Sequence, residues 1–129
     1  MELVKTPKSF NRDIDGYEQI AYSVQEVLMK LGLTKNESKL YLYLNKNGLK
    51  EAKEIAQNQK IPRTQTYHLL TALQNKGIVT LISDTPTKFE GIALENAFGI
   101  LINNELKKII DLQLISSELC ELWKENFYK

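Results

Sequence analysis

Five polar side chains spaced along one predicted helix face are the residues of this chain best suited to chemistry with a partner. They are Arg63, Thr64, Gln65, His68 and Thr71. Nearly all of them are uncharged, and the side chain of each can form hydrogen bonds. The stretch from Pro62 to Lys76 contains no Asp or Glu. Because carboxylates repel phosphate, this composition favours a surface that binds nucleic acid.

Each of the five side chains has a plausible DNA contact. Gln65 can pair with an adenine edge, and His68 can donate to guanine N7 or to a phosphate. Thr64 and Thr71 can serve either a base or a phosphate. Arg63 lies at the predicted helix N-terminus, where a cation and unpaired N–H groups suit a phosphate. A solvated polar face is the alternative, and a lone histidine such as His68 is more often an ordinary surface residue.

These side chains need a helix that is held from behind by apolar residues. Between Pro62 and Lys76 the apolar positions are Tyr67, Leu69, Leu70 and Leu73. Thr66, Leu69, Leu70 and Leu73 are predicted to face the core, and Gly77 is expected to end the helix. A preceding helix is predicted to begin at a capping box formed by Thr34 and Glu37. Residues 50–58 are predicted to form a short helix, and residues 59–61 a turn.

Two short strands are predicted after Gly77, at residues 78–82 and 88–93, joined by a turn at 84–87. Helix, helix–turn–helix and hairpin in this order predict a winged helix-turn-helix. Lys88 and Thr87, at the tip of the hairpin, are expected to contact the DNA backbone, although a hairpin that merely closes the domain edge is equally compatible. Lys35 is a further candidate for the flanking backbone, or is simply solvated.

The regions on either side of this unit have different predicted roles. Residues 1–16 are expected to be a flexible arm, and the period of three and four from Tyr17 to Leu31 predicts an amphipathic helix. Residues 94–129 are predicted to form one long helix with a shifting apolar stripe. A helix of about 30 residues is ~45 Å long and cannot bury such a stripe on a small domain. A second copy of the chain, paired as a coiled coil, would cover it; folding back on the N-terminal helix is the alternative.

Composition bounds the function further. The chain is 43% hydrophobic and 26% charged, with net charge +1. Residues 34–90 hold nine Lys/Arg and five Asp/Glu, so the positive excess of +4 falls in the winged helix, which is predicted to span residues 17–93. The sequence shows no catalytic cluster, metal-ligand set, cofactor motif or membrane-length apolar run, and its polar N-terminus is not expected to be a signal peptide. Cys120 is the one cysteine, so a cytoplasmic protein with an inert thiol is expected rather than an inter-chain disulfide.

The chain resembles the TrmB family of archaeal transcriptional regulators over roughly residues 28–100. The resemblance rests on Leu31-Gly32-Leu33-Thr34, on Ala52-x-x-Ile55-Ala56, on Ile61-Pro62-Arg63-Thr64-x-x-Tyr67, and on Lys76-Gly77-Ile78-Val79. It implies a winged-helix domain, operator binding as a dimer, and the segment from Arg63 to His68 at the DNA. Family members usually carry a large C-terminal sugar-binding domain, for which this chain has no room, so a short form without a sugar effector is expected. The wing is also poorer in Arg and Lys than in many relatives.

Taken together, the sequence predicts a mostly α protein with a small β-hairpin, whose N-terminal and long C-terminal helices serve dimerisation. The predicted function is a sequence-specific regulator that binds double-stranded DNA as a homodimer. It places the recognition helix, about 62–76, in the major groove and the wing, about 84–88, at the backbone. A winged-helix module that binds proteins in a transcription-related complex is the alternative.

Overall fold

The structure, a computed structural model, describes residues 14–128, without the side chains of residues 14, 15, 83 and 84. Five helices and three short strands make up this part of the chain. In order they are α1 (Ile14–Lys30), α2 (Lys35–Asn47), β1 (Lys50–Glu51), α3 (Ala52–Gln59), α4 (Arg63–Asn75), β2 (Val79–Asp84), β3 (Thr87–Gly91) and α5 (Leu94–Phe127). The protein is therefore mostly α with a small antiparallel sheet, as predicted.

The sheet has three strands rather than the two of the predicted hairpin. Its strand order is β1-β3-β2, and Lys50 and Glu51 pair with Phe89 and Lys88. The prediction of a helix over residues 50–58 was therefore wrong at its start, because the first two residues are extended and α3 begins at Ala52. The backbone N–H of Glu51 donates to Glu54 Oε1 at 3.2 Å, which fixes the entry into α3.

The helix ends follow the signals in the sequence. Glu37 N–H donates to Thr34 Oγ1 at 3.1 Å, and Thr34 N–H donates to Glu37 Oε1 at 2.8 Å, so the predicted capping box is confirmed. Gly77 adopts φ +85°, and the following Ile78 N–H donates to Leu73 O at 3.1 Å. This left-handed residue ends α4 where the sequence predicted. Helix α1 includes residues 14–16, which were assigned to the flexible arm; residues 1–13 lie outside the described part of the chain.

The core lies between α2, α3, α4 and the inner face of the sheet. Its members are mostly aliphatic, and the fully buried ones include Leu28, Leu40, Tyr41, Leu44, Ile55, Leu70, Leu73 and Ile78. Helix α1 reaches this core through Val24 and Leu28 in its C-terminal part, and Leu31, directly after the helix, packs against the core as well. Tyr17, which was predicted to face inward, is 65% exposed because it precedes that part of the helix.

Helix α5 leaves the domain soon after it begins. Ala97 and Leu101 are buried against the core, and Phe98 and Ile100 are partly buried. Every described residue from Leu106 to Tyr128 is exposed, so α5 does not fold back on α1 within the described part of the chain. None of the described helices is both long and apolar enough for a membrane span.

Candidate nucleic-acid interface

Helix α4 is anchored through one face and presents the other to solvent. Thr66, Leu70 and Leu73 are buried beneath it. The Thr66 hydroxyl donates to Pro62 O at 3.1 Å, so its polar atom is satisfied inside the first turn. The five candidate residues are all exposed: Arg63, Thr64, Gln65, His68 and Thr71. The predicted separation of anchor and solvent faces therefore matches the structure.

A shallow concavity of about 430 Å³ covers much of this solvent face. It is lined by Arg63, Thr64, Tyr67, His68 and Thr71. Gln65 is exposed but does not line the concavity. At 3.6 residues per turn it lies roughly 160° around the helix from Tyr67, which places it on the opposite edge of the exposed face.

Tyr67 belongs to this surface, although it was not among the predicted DNA contacts. Its side chain is 43% exposed. Arg63 and Thr71 lie one helical turn before and after it, so all three share a face. Helical spacing alone could have placed Tyr67 on the polar face. Its aromatic ring instead led to its being counted with the leucines among the apolar positions.

The wing meets α4 at a second concavity of about 240 Å³, which we call the helix–wing cleft. It is lined by Glu51, Ala52, Lys53, Arg63, Tyr67, Pro86 and Thr87. Because Arg63 and Tyr67 line both concavities, the surface is continuous from the middle of α4 to the wing tip. Thr87 is thereby brought next to the predicted contact residues of the helix.

Two predicted contact residues are placed differently. Lys88 is partly buried in β3 opposite Glu51 and is not among the residues lining either concavity. Lys35, at the start of α2, lies in a separate concavity together with Tyr22, Gln25 and Met29 of α1. The structure thus groups Arg63, Thr64, His68, Thr71 and Thr87 and sets Lys35 apart.

An ion pair fixes the far end of α4. Lys76 Nζ lies 3.3 Å from Glu37 Oε2, and the Glu37 carboxylate is buried while Lys76 is about one-third exposed. Glu37 therefore both caps α2 and holds the end of α4. The described residues contain no cluster of three or more His, Cys, Asp or Glu that could hold a metal ion.

A short helix, a turn and a second, solvent-facing helix, followed by a β-wing, define the winged helix-turn-helix class. Within that class, the family model for the sugar-specific transcriptional regulator TrmB matches residues 28–95. The chain belongs to the TrmB family, and the resemblance seen in the sequence is confirmed.

Two relatives show how much of such proteins the chain represents. It is similar to the HTH-type sugar sensing transcriptional regulator TrmBL1 of Pyrococcus furiosus, at 31% identity over 102 residues, which are 79% of this chain and 29% of TrmBL1. Its fold matches that of TrmBL2, described as an archaeal chromatin protein with a novel mode of DNA binding. That match has a TM-score of 0.72 and 20% identity, and it covers 82% of this chain and 41% of TrmBL2. The chain therefore spans less than half of either relative.

Proposed function

We propose that the protein is a sequence-specific DNA-binding transcriptional regulator that acts as a homodimer. The observation that carries this proposal is the solvent face of α4, on which Arg63, Thr64, Gln65, His68 and Thr71 are exposed without any carboxylate. An α-helix with its side chains is about 10–12 Å wide, and the major groove of B-DNA is about 12 Å wide, so α4 fits the groove. The wing then lies against the neighbouring backbone.

The charge distribution supports the same partner. Residues 34–90 carry a net charge of +4, whereas residues 91–129 hold four Lys/Arg against six Asp/Glu and are net negative. The positive excess therefore lies in the unit that contains α4 and the wing. It is modest for one copy, and a dimer would double it across two half-sites.

Helix α5 supports the homodimer. It is 34 residues, or about 51 Å, long and has two fully buried residues, so most of its apolar surface is uncovered in a single chain. The large hydrophobic side chains that are exposed from its third turn onward are Ile102, Leu106, Ile109, Ile110, Leu112, Leu114, Ile115, Leu119, Leu122, Trp123 and Phe127. Contiguous apolar surface on this scale marks an interaction site, and a second copy of the same helix is self-complementary.

Fluorescence anisotropy with a duplex selected from a random library tests the DNA-reading role. Gln65→Ala and His68→Ala are expected to weaken binding about 5- to 100-fold and to relax preference for the selected sequence, because each removes hydrogen bonds to base edges. Gln19→Ala, which truncates an exposed amide on α1, is the matched control and should bind as the wild type does.

The salt dependence supplies an independent readout. If a dimer makes about 6–10 phosphate contacts, affinity should fall ~10³- to 10⁵-fold between 50 and 200 mM salt. Failure to bind any duplex, or affinity that ignores salt, would contradict the proposal. Loss of a protein partner by Gln65→Ala with unchanged DNA binding would instead favour a protein-binding module.

A further inference from the structure

The helix–wing cleft contains residues, Lys53 and Tyr67 among them, that have no role in the base contacts proposed for α4. Arg63 and Lys53 bring two exposed cations to it, from α4 and from the first turn of α3. The Tyr67 ring and Pro86 also line the cleft, whose exposed surface is mostly polar. The cleft has a volume of about 240 Å³, which is large enough for a phosphate group.

DNA geometry determines what lies opposite this cleft when α4 occupies a major groove. The major groove and the adjacent minor groove are separated by a single sugar–phosphate strand. The wing borders α4 on the side where Arg63 and Tyr67 project, so that strand has to pass between helix and wing. A phosphodiester strand presents charged oxygens and sugar faces in alternation, and the cleft offers two cations to the oxygens and the Tyr67 ring to a sugar.

We propose that the helix–wing cleft seats the phosphodiester strand dividing the two grooves, with Lys53 and Tyr67 as further DNA contacts. This inference rests on the proposed function. Lys53 contacts a phosphate together with Arg63. The ring of Tyr67 packs against the adjoining deoxyribose, and so fixes the register in which the neighbouring Thr64 and His68 meet the bases.

Glu51 acts against this contact. It lines the same cleft, is partly exposed, and places a carboxylate near the phosphate that Lys53 and Arg63 attract. A carboxylate and a phosphate are both negatively charged and repel each other, so Glu51 lowers the affinity that the two cations provide. With Glu51 present, the cleft therefore binds the DNA backbone less tightly than Lys53 and Arg63 would without this carboxylate.

The test measures DNA binding of the full chain by anisotropy, on the selected duplex and on duplexes that each carry one uncharged methylphosphonate. Lys53→Gln is expected to weaken binding roughly 3- to 10-fold without changing sequence preference, and to lower the slope of log K against log salt by about 1 per protomer. Lys30→Gln, at an exposed lysine of α1, is the matched control. Glu51→Gln, which removes the charge and keeps the side-chain length, is expected to tighten binding several-fold.

Tyr67→Ala should weaken binding, whereas Tyr67→Phe, which keeps the ring, should bind within about twofold of the wild type. One methylphosphonate position should abolish the difference between wild type and Lys53→Gln, because both changes remove the same contact. Thermal unfolding of each variant checks that these exposed substitutions leave the fold intact.

The outcomes separate this inference from the proposed function. If the wild type binds no duplex, both are overturned. If the wild type binds the selected duplex but Lys53→Gln and Tyr67→Ala bind equally well, the cleft assignment alone is overturned. A Phe variant as weak as the Ala variant, or a Glu51→Gln variant no tighter than the wild type, would overturn the roles given to those two side chains.

Discussion

Tyr41 illustrates how one residue joins the helical and sheet layers that support the DNA-facing surface. Its ring is fully buried, and its hydroxyl donates to Ile92 O, just after β3, at 2.6 Å. Asn45 Nδ2 also donates to Ile92 O, at 3.1 Å. Burial raises the pKa of Tyr41 above its usual 10.0, the hydrogen bond from Asn45 lowers it in part, and the charge of Glu95 raises it again. The folded state therefore favours the neutral phenol.

Replacing Tyr41 with Phe removes this hydroxyl and should lower the free energy of unfolding by about 1 kcal/mol at neutral pH. The pH dependence follows from the raised pKa. The stabilisation is complete below the unfolded-state pKa of 10.0 and is lost as pH rises through the higher folded-state pKa. Urea unfolding between pH 7 and 11 should show a smaller alkaline loss of stability for Tyr41→Phe than for the wild type. Equal alkaline losses in both proteins would contradict the assignment.

Features that depend on residues close in the sequence could be predicted, whereas features that depend on tertiary contacts could not. Thr34, Glu37 and Gly77 act through neighbours three to five positions away, so the helix ends they produce were predicted correctly. Tyr17 and Tyr67 were both counted among the apolar positions of their helices, and their side chains are 65% and 43% exposed. Whether an amphipathic side chain such as tyrosine is buried depends on which elements pack beside it. Those tertiary contacts are not contained in the local sequence pattern.

At the scale of elements, α3 could be predicted from a local sequence pattern, whereas β1 depends on a tertiary contact. The short helix was predicted because Ala52, Ile55 and Ala56 repeat with helical spacing, and all three are buried. Strand β1 was missed because it is two residues long and exists through pairing with Phe89 and Lys88, which lie almost forty positions away. The contact between wing and α3 that forms the helix–wing cleft depends on this pairing, so the cleft could not be predicted either.

Two glycines are predicted to respond to alanine in opposite ways. Gly91 lies where β3 packs against α2, and Gly99 lies in α5. A Cβ added to Gly91 would lie 3.0 Å from Asn45 N and 3.3 Å from Leu44 Cβ, so Ala must push the strand away from the helix. Gly91→Ala should destabilise the fold by about 1–3 kcal/mol. Gly99 lies within α5 with no neighbouring atom within 4 Å of such a Cβ, so Gly99→Ala should stabilise the helix by about 0.5–1 kcal/mol.

Urea unfolding of both glycine variants measures the two signs in one experiment, and each variant serves as the control for the other. A Gly91→Ala protein as stable as the wild type would mean that β3 and α2 are packed less closely than described. Destabilisation by Gly99→Ala would mean that another chain lies against α5 at that position.

At the scale of the whole molecule, most of the apolar surface of α5 is not covered by the winged-helix domain. Its first turns belong to the core through Ala97 and Leu101, while Leu112 and Leu119, seven residues apart and so on one helix face, are 64% and 58% exposed. The sequence predicted this uncovered stripe because a long helix next to a small domain has more apolar surface than the domain can cover. What covers the stripe, and in which orientation, depends on the surface of the partner, and so could not be predicted from the pattern of apolar residues in α5.

If a second copy covers this stripe, replacing Leu112 and Leu119 together with Glu should convert a dimer into a monomer, because four carboxylates would meet in an apolar seam. Gln113→Glu, which adds a charge at an exposed polar position of the same helix, should leave the dimer intact. Sedimentation equilibrium measures the mass of each protein, and circular dichroism checks that the winged helix stays folded.

The same variants connect assembly to DNA binding. Two α4 helices in one dimer bind two half-sites as linked events, so a monomer should lose roughly 10²-fold or more on the full palindrome. On a single half-site it should bind about as well as one protomer of the wild type, because its own α4 and wing are unchanged. A double-Glu variant that stays dimeric would place the interface away from this face of α5. A monomer that keeps full-palindrome affinity would show that dimerisation does not link the two half-sites.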